Sequence, residues 1–219
     1  MSEKLIAIVG MGKGISMAVA RRFGKEGYRI AMISRSESNL IRYQRELNGD
    51  GYKSFYFVAD AGNQDILKKA FAELKAELGS PEVLVYNAAI VRTAKPTSLT
   101  YFNLIEDFKV NVAGALVAVQ QVLPAMRNKK RGTIIFTGGG LALNPFLDYA
   151  SLAIGKAGIR SLATTLSQEL KMDGVHIVTV TICGWVREQD TKYSPAKIAE
   201  LYWSLYIKKP GEFKHEIVY

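Results

Sequence analysis

Short apolar runs alternate with stretches of helical periodicity along almost the whole chain. The runs with strand character are Leu5–Val9, Arg29–Ile33, Ser54–Ala59, Val83–Tyr86, Thr133–Thr137 and Val175–Ile182. Between them, residues near 14–26, 37–48, 64–78, 101–127 and 150–172 repeat their apolar positions every three to four residues, as a half-buried helix does. The third of these is the plainest. Leu67, Ala70, Phe71, Leu74 and Leu78 fall on one face, while Lys68, Lys69, Glu73, Lys75 and Glu77 fall elsewhere. A further helix is predicted over Ala196–Tyr206, after Ser194-Pro195, with Ile198, Leu201, Tyr202 and Leu205 as its inner stripe and Trp203 off it. Nearly continuous apolar strands separated by helices predict a parallel sheet covered on both faces.

Right-handed crossovers then predict a doubly wound α/β sheet of the Rossmann type, one domain over residues 1–219, with a ligand crevice at the carboxyl ends of the strands. The polar and glycine-rich positions fall at those ends: Gly10, Ser34-Arg35, Asp60, Asn87, Thr137-Gly138 and Cys183-Gly184. All are expected to converge on one crevice. The first junction is the most informative. Gly10-Met11-Gly12-Lys13-Gly14 separates a strand from a helix that begins near Ile15. Glycines allow the sharp turn and let a pyrophosphate approach the backbone, where the helix's unpaired N–H groups and positive dipole end hold it.

Composition narrows the classes without changing the fold. Hydrophobic residues make up 48% and charged residues 22% of the 219, ordinary values for a globular chain. The start Met1-Ser2-Glu3-Lys4 followed by five apolar residues is not a secretory signal, and no apolar run approaches membrane-span length. The single cysteine, Cys183, forms no internal disulfide, so a reducing, cytoplasmic location is expected. The net charge of +9 draws on Arg127-Asn128-Lys129-Lys130-Arg131 and on Lys208, Lys209 and Lys214. Neither cluster is interleaved with aromatics, so a solvated basic face is expected rather than nucleic-acid binding. No metal site and no membrane partner are expected.

Six motifs then occur in one order. They are Gly10 and Gly14 with Ser16 where a third glycine is usual; Asp60; Asn87-Ala88-Ala89; Asn111; Lys156; and Gly184, with Cys183 where proline is usual. Over residues 5 to about 205 the chain resembles the short-chain dehydrogenase/reductase family. That resemblance implies a dinucleotide held by Gly10, Gly12, Lys13, Gly14, Ile15, Ser34, Arg35, Asp60, Ala61, Asn87, Ala88, Ala89, Lys156, Gly184 and Val186. In the family, Asp60 would contact the adenine side, Asn87-Ala88-Ala89 would underlie the adenine ribose, and Lys156 would hold the nicotinamide ribose. Asn111 would bend the fourth helix as well as serve the active site. After the second strand an NAD site places an acid for the ribose 2′-hydroxyl. Here Ser34-Arg35-Ser36 carries none until Glu37, and with Lys13 this points to NADP(H).

The family's proton-transfer pair does not match. A tyrosine is usual four residues before the lysine, where Leu152 stands, and a serine is usual thirteen residues before that, where Gly139 stands. Tyr149 and Thr137 are the candidate replacements, so the catalytic set expected is Asn111, Lys156, Tyr149 and Thr137. His176 and His215 are expected to be structural. The segment from Arg187 to Tyr193 is a shorter lid than the family's. Two functions follow from the resemblance. One is an NADP(H)-dependent oxidoreductase acting on a small molecule by an altered proton route. The other is a cofactor-binding protein with little turnover, serving as a redox sensor or partner subunit. Pairing through the fourth and fifth helices into a homodimer or homotetramer is also implied.

Overall fold

The computed structural model describes residues 4–219. Seven parallel strands form one sheet in the order β3-β2-β1-β4-β5-β6-β7. They are β1 (Leu5–Val9), β2 (Arg29–Ser34), β3 (Ser54–Val58), β4 (Val83–Tyr86), β5 (Gly132–Thr137), β6 (Val175–Thr181) and β7 (Glu216–Val218). The order reverses between β1 and β4, where Val9 pairs with Ile33 on one side and Tyr86 on the other. A crevice opens at such a switch point because the crossovers leave in opposite directions.

Helices cover both faces, which explains why β1, β4, β5 and β6 are buried along their whole length. On one face lie α3 (Gln64–Leu78), α4 (Tyr101–Phe108), α5 (Gly114–Lys129) and α6 (Ala150–Glu169). On the other lie α1 (Ile15–Gly24), α2 (Glu37–Gly49) and α7 (Pro195–Tyr206). Local chemistry sets the helix starts. The side chains of Ser36, Asn63, Thr100 and Ser194 each accept a hydrogen bond from a backbone N–H in the first turn of α2, α3, α4 and α7.

The helix predicted over 101–127 is interrupted at Lys109–Ala113 by a wider turn with π geometry, around Asn111, where the family resemblance implies a bend. β7 was not predicted, because three residues are too few to show a period. It is held by the Arg160 guanidinium, which donates twice to the Glu216 carboxylate at 2.7 Å, and by the Thr181 hydroxyl. Trp203 is no free aromatic: it packs edge-on against Phe23 at 5.1 Å and under the Arg22 guanidinium at 4.5 Å, joining α7 to α1.

The basic clusters lie at the other end of the sheet, where the strands begin. Arg127 pairs with Glu169 and Asp173, and Arg131 donates to the Tyr206 hydroxyl. Counting α4, the wide turn and α5 as one helix, Tyr101–Lys129 is long and apolar enough to cross a membrane by length and composition. It is not a continuous apolar run, since Glu106, Asp107, Lys109 and Arg127 fall within it. Its inner face, including Ala115, Ala118, Val119 and Val122, is packed into the core.

Candidate active site

The site begins with Gly10. Its φ is +86°, and a Cβ there would lie 2.3 Å from the Ala88 nitrogen. Only glycine lets the end of β1 touch the end of β4 so closely. The junction is locked by side chains. Ser16 donates to the Gly10 carbonyl at 2.8 Å, and the Asn87 amide donates to the same carbonyl and to the Ser16 hydroxyl. Ser16 therefore has a bonding role in the position where the family resemblance led one to expect a third glycine. Gly12 and Gly14 differ from Gly10: added Cβ atoms would meet nothing within 4 Å, so the loop presents open backbone at the start of α1.

A cleft of about 270 Å³ opens over the ends of β1, β2, β3 and β4. Gly10, Ser34, Arg35, Asp60, Ala61, Asn87, Ala88 and Ala89 line it. Val9, Ile33 and Ala59 of the strand ends, with Met11 and Val110, complete its wall; neither Met11 nor Val110 was singled out by the sequence, where both read as ordinary apolar positions. Asp60 accepts from the Gly62 N–H at 2.8 Å, which fixes the turn after β3. Gly12, Lys13, Gly14 and Ile15 continue the loop away from this lining, and Arg35 and Lys13 are exposed. No acid stands at the end of β2 before Glu37, the second residue after Arg35. These residues fit a dinucleotide: close backbone at Gly10, open glycine backbone at a helix start, and cations where a third phosphate would lie.

The ends of β5 and β6 do not line this cleft and form a second part of the same edge of the sheet. Lys156, Gly184 and Val186 belong to that second part. α6 reaches it because Gly155 and Gly158 let the helix press on the wide turn. A Cβ at Gly155 would lie 2.6 Å from the Asn111 Cβ, and one at Gly158 would lie 2.8 Å from Val112. The Asn111 side chain is engaged with backbone, accepting from the Ile90 N–H at 2.7 Å and donating to the Ile90 carbonyl at 3.4 Å. It clamps the loop after β4. Lys156 donates to the Thr137 carbonyl at 2.7 Å. The residue is half-buried, and loss of water around the ammonium lowers its pKa from 10.5 to about 8.

Thr137, a candidate replacement hydroxyl, is bonded elsewhere in this structure. Its side chain is buried and shares a 2.8 Å hydrogen bond with the Tyr202 hydroxyl of α7, on the opposite face of the sheet from α6. Alternation along a strand explains this: adjacent side chains leave on opposite faces, and the final residue of β5 points to α7. Tyr149 lies just before α6, its ring 6.4 Å from Phe146, and its backbone pairs with Ala94. Gly139 lies along the Lys156 stem, where an added Cβ would be in ordinary contact at 3.5 Å. Leu152 is buried. Beyond β6 the Tyr193 ring covers Gly184 so closely that a Cβ there would lie 2.2 Å from it. Trp185 and Val186 are exposed. His176 stacks on Phe213 at 4.3 Å with both ring nitrogens at carbonyl oxygens, a packing role.

A family model described as short chain dehydrogenase matches residues 4–197. The chain belongs to the short-chain dehydrogenase/reductase family. A short chain dehydrogenase of Pseudocercospora fijiensis is 30% identical over 176 residues, covering 78% of this chain. The 3-oxoacyl-acyl-carrier-protein reductase MabA of Mycobacterium avium is 28% identical over 190 residues, covering 87% of this chain. The chain spans 56% of the length of the first relative and 70% of the second. Among solved structures, a metagenomic short-chain oxidoreductase in complex with NADP superposes with a TM-score of 0.90 at 24% identity, covering 100% of this chain and 97% of that one. A variant of actinorhodin polyketide ketoreductase with NADPH gives 0.89 at 22% identity, covering 97% and 94%. Likenesses at these identities establish the Rossmann-type short-chain fold.

Proposed function

We propose that this chain binds NADP(H) in the cleft over β1–β4 and acts as an oxidoreductase with an altered proton route. The observation that carries the reading is Arg35 in the cleft wall at the end of β2, with no carboxylate there to hold a 2′-hydroxyl. The solved likenesses with NADP and NADPH, and the reductase among the relatives, support it. The open backbone at Gly12 and Gly14 would face the pyrophosphate, Asp60 and Ala61 the adenine end, and Lys156 the nicotinamide ribose. NADPH, when bound, supplies the hydride. The chain must then deliver a proton to the substrate oxygen, and neither Leu152 nor Gly139 carries one. Lys156 is one titratable group in this region, beside the candidate Tyr149. With its pKa near 8 it holds a proton at neutral pH and releases it more readily than an exposed lysine.

Titration with both dinucleotides tests the cofactor reading. NADPH is expected to bind more tightly than NADH, and Arg35→Ala to lower that preference about tenfold, the scale of one charge-assisted phosphate contact. Equal affinities in the unmodified protein would refute it.

Lys156 makes the binding pH-dependent. Its ammonium is charged below about 8, so its attraction for the anionic cofactor is present there and fades as pH rises through that value. Lys156→Arg is expected to flatten the profile, and Lys156→Met to weaken NADPH at every pH. Folding has the opposite sign. A lysine lowered from 10.5 penalises the folded chain fully below about 8, and the penalty disappears as pH rises toward 10.5.

A specific observation favours the second reading, a cofactor-binding protein with little turnover. The Thr137 hydroxyl is turned into the core, and Lys156 is engaged with a backbone carbonyl. Assembly into a homodimer or homotetramer fits the exposed apolar side chains Tyr101, Phe102, Ile105, Phe108 and Leu116 along α4 and α5, which together form the predicted fourth helix; the predicted fifth is α6.

A further inference from the structure

α4 is built inside out. Its one fully buried residue is a carboxylate, Asp107, while Tyr101, Phe102, Ile105 and Phe108 are exposed. Both Asp107 oxygens are used. The Arg92 guanidinium donates to them at 2.8 and 2.9 Å, and the Ser151 hydroxyl donates at 2.7 Å. Burial pushes this carboxyl's pKa up, but the Arg92 and Ser151 hydrogen bonds prevail and hold it below its ordinary value. A charge with no exposed surface is retained only when its partners are held in place as well.

Those partners lie on different parts of the site. Arg92 sits in the loop after β4, whose first residues, Asn87, Ala88 and Ala89, line the cleft. Ser151 sits in the first turn of α6, the helix that carries Lys156. Asp107 is four residues before Asn111, which clamps the same loop through Ile90. The loop and the start of α6 also meet directly, with the Ala94 N–H donating to the Asp148 carbonyl at 2.8 Å. We infer that Asp107 is a positioning residue that, through Arg92 and Ser151, holds the Lys156 helix in register with the cofactor cleft. It acts mainly on the nicotinamide end through α6; at the adenine end only the start of the Arg92 loop is tied to it, since Ser34, Arg35 and Asp60 belong to β2, β3 and the turns after them.

The inference rests on the nucleotide reading, and the test separates the two. Adenosine 2′,5′-bisphosphate probes the adenine end alone; NADPH probes both ends. Kd values for each are measured in the unmodified protein, in Asp107→Asn and in Ser151→Ala. Asp107→Asn is expected to weaken NADPH about tenfold, the scale of one hydrogen bond to a charged group, with the bisphosphate weakened clearly less. Ser151→Ala shifts the ratio in the same direction by a smaller factor, and it carries the comparison should Asp107→Asn not fold. Equal weakening of both ligands, or no change in either, overturns the positioning role. An unmodified protein that binds neither ligand overturns the nucleotide reading, and this inference with it.

Discussion

Replacing Leu152 by tyrosine and Gly139 by serine is expected to raise NADPH-dependent carbonyl reduction by about 10²–10⁴-fold, the contribution of a placed general acid. The serine adds to this as a hydrogen-bond donor at the substrate oxygen, although the two effects do not simply add. The site has room for the serine. A Cβ at Gly139 makes ordinary contact with the Lys156 stem at 3.5 Å, so serine enters without displacing backbone. Tyrosine at 152 lies one helical turn before Lys156, on the same face of α6, where the ammonium would lower its pKa. The measurement is NADPH oxidation over a panel of carbonyl compounds. If the double variant and the unmodified protein are both silent while NADPH binds, the oxidoreductase reading fails and the low-turnover reading stands. Activity in the unmodified protein that Tyr149→Phe abolishes would make Tyr149 the surrogate acid.

That experiment draws on what the sequence showed and on what it could not. Strand and helix positions were legible because burial on both faces leaves long apolar runs with glycine at their ends. Gly10, Arg35, Asp60 and Asn87 were legible too, since residues at strand ends in this topology share one edge of the sheet. The direction of a single side chain was not. Thr137 has the right chemistry two positions from Gly139, but its face of β5 is fixed by the pleat, and it meets Tyr202. Asp107 was hidden for the opposite reason. In a helical stretch, a charged residue among apolar ones reads as solvent-facing, and only the contacts with Arg92 and Ser151 show that this one is the buried face. The interruption at Lys109–Ala113 shows in the sequence only through Asn111, where the resemblance implies a bend, because the wide turn otherwise uses the same residue types as the helices beside it.

The glycine loop yields the second large effect, and its glycines are expected to fail in different ways. Gly10→Ala places a side chain at φ +86° and a Cβ 2.3–2.7 Å from the backbone of Asn87 and Ala88. Strain and overpacking together cost about 2–6 kcal/mol, because both clashing partners are backbone and cannot rotate away. Thermal unfolding should fall by about 5–20 °C for a chain of this size, and NADPH binding should be lost along with the junction. Gly12→Ala meets nothing within 4 Å and has no positive φ, so its stability should stay within about 0.5 kcal/mol of the unmodified protein. Its methyl group would stand where a pyrophosphate approaches the backbone, and NADPH should weaken about tenfold or more. Melting curves and NADPH titrations on the two variants therefore separate a glycine that the fold needs from one that only the ligand needs. A Gly12→Ala protein that melts normally and binds NADPH undiminished would show that no phosphate comes to this loop.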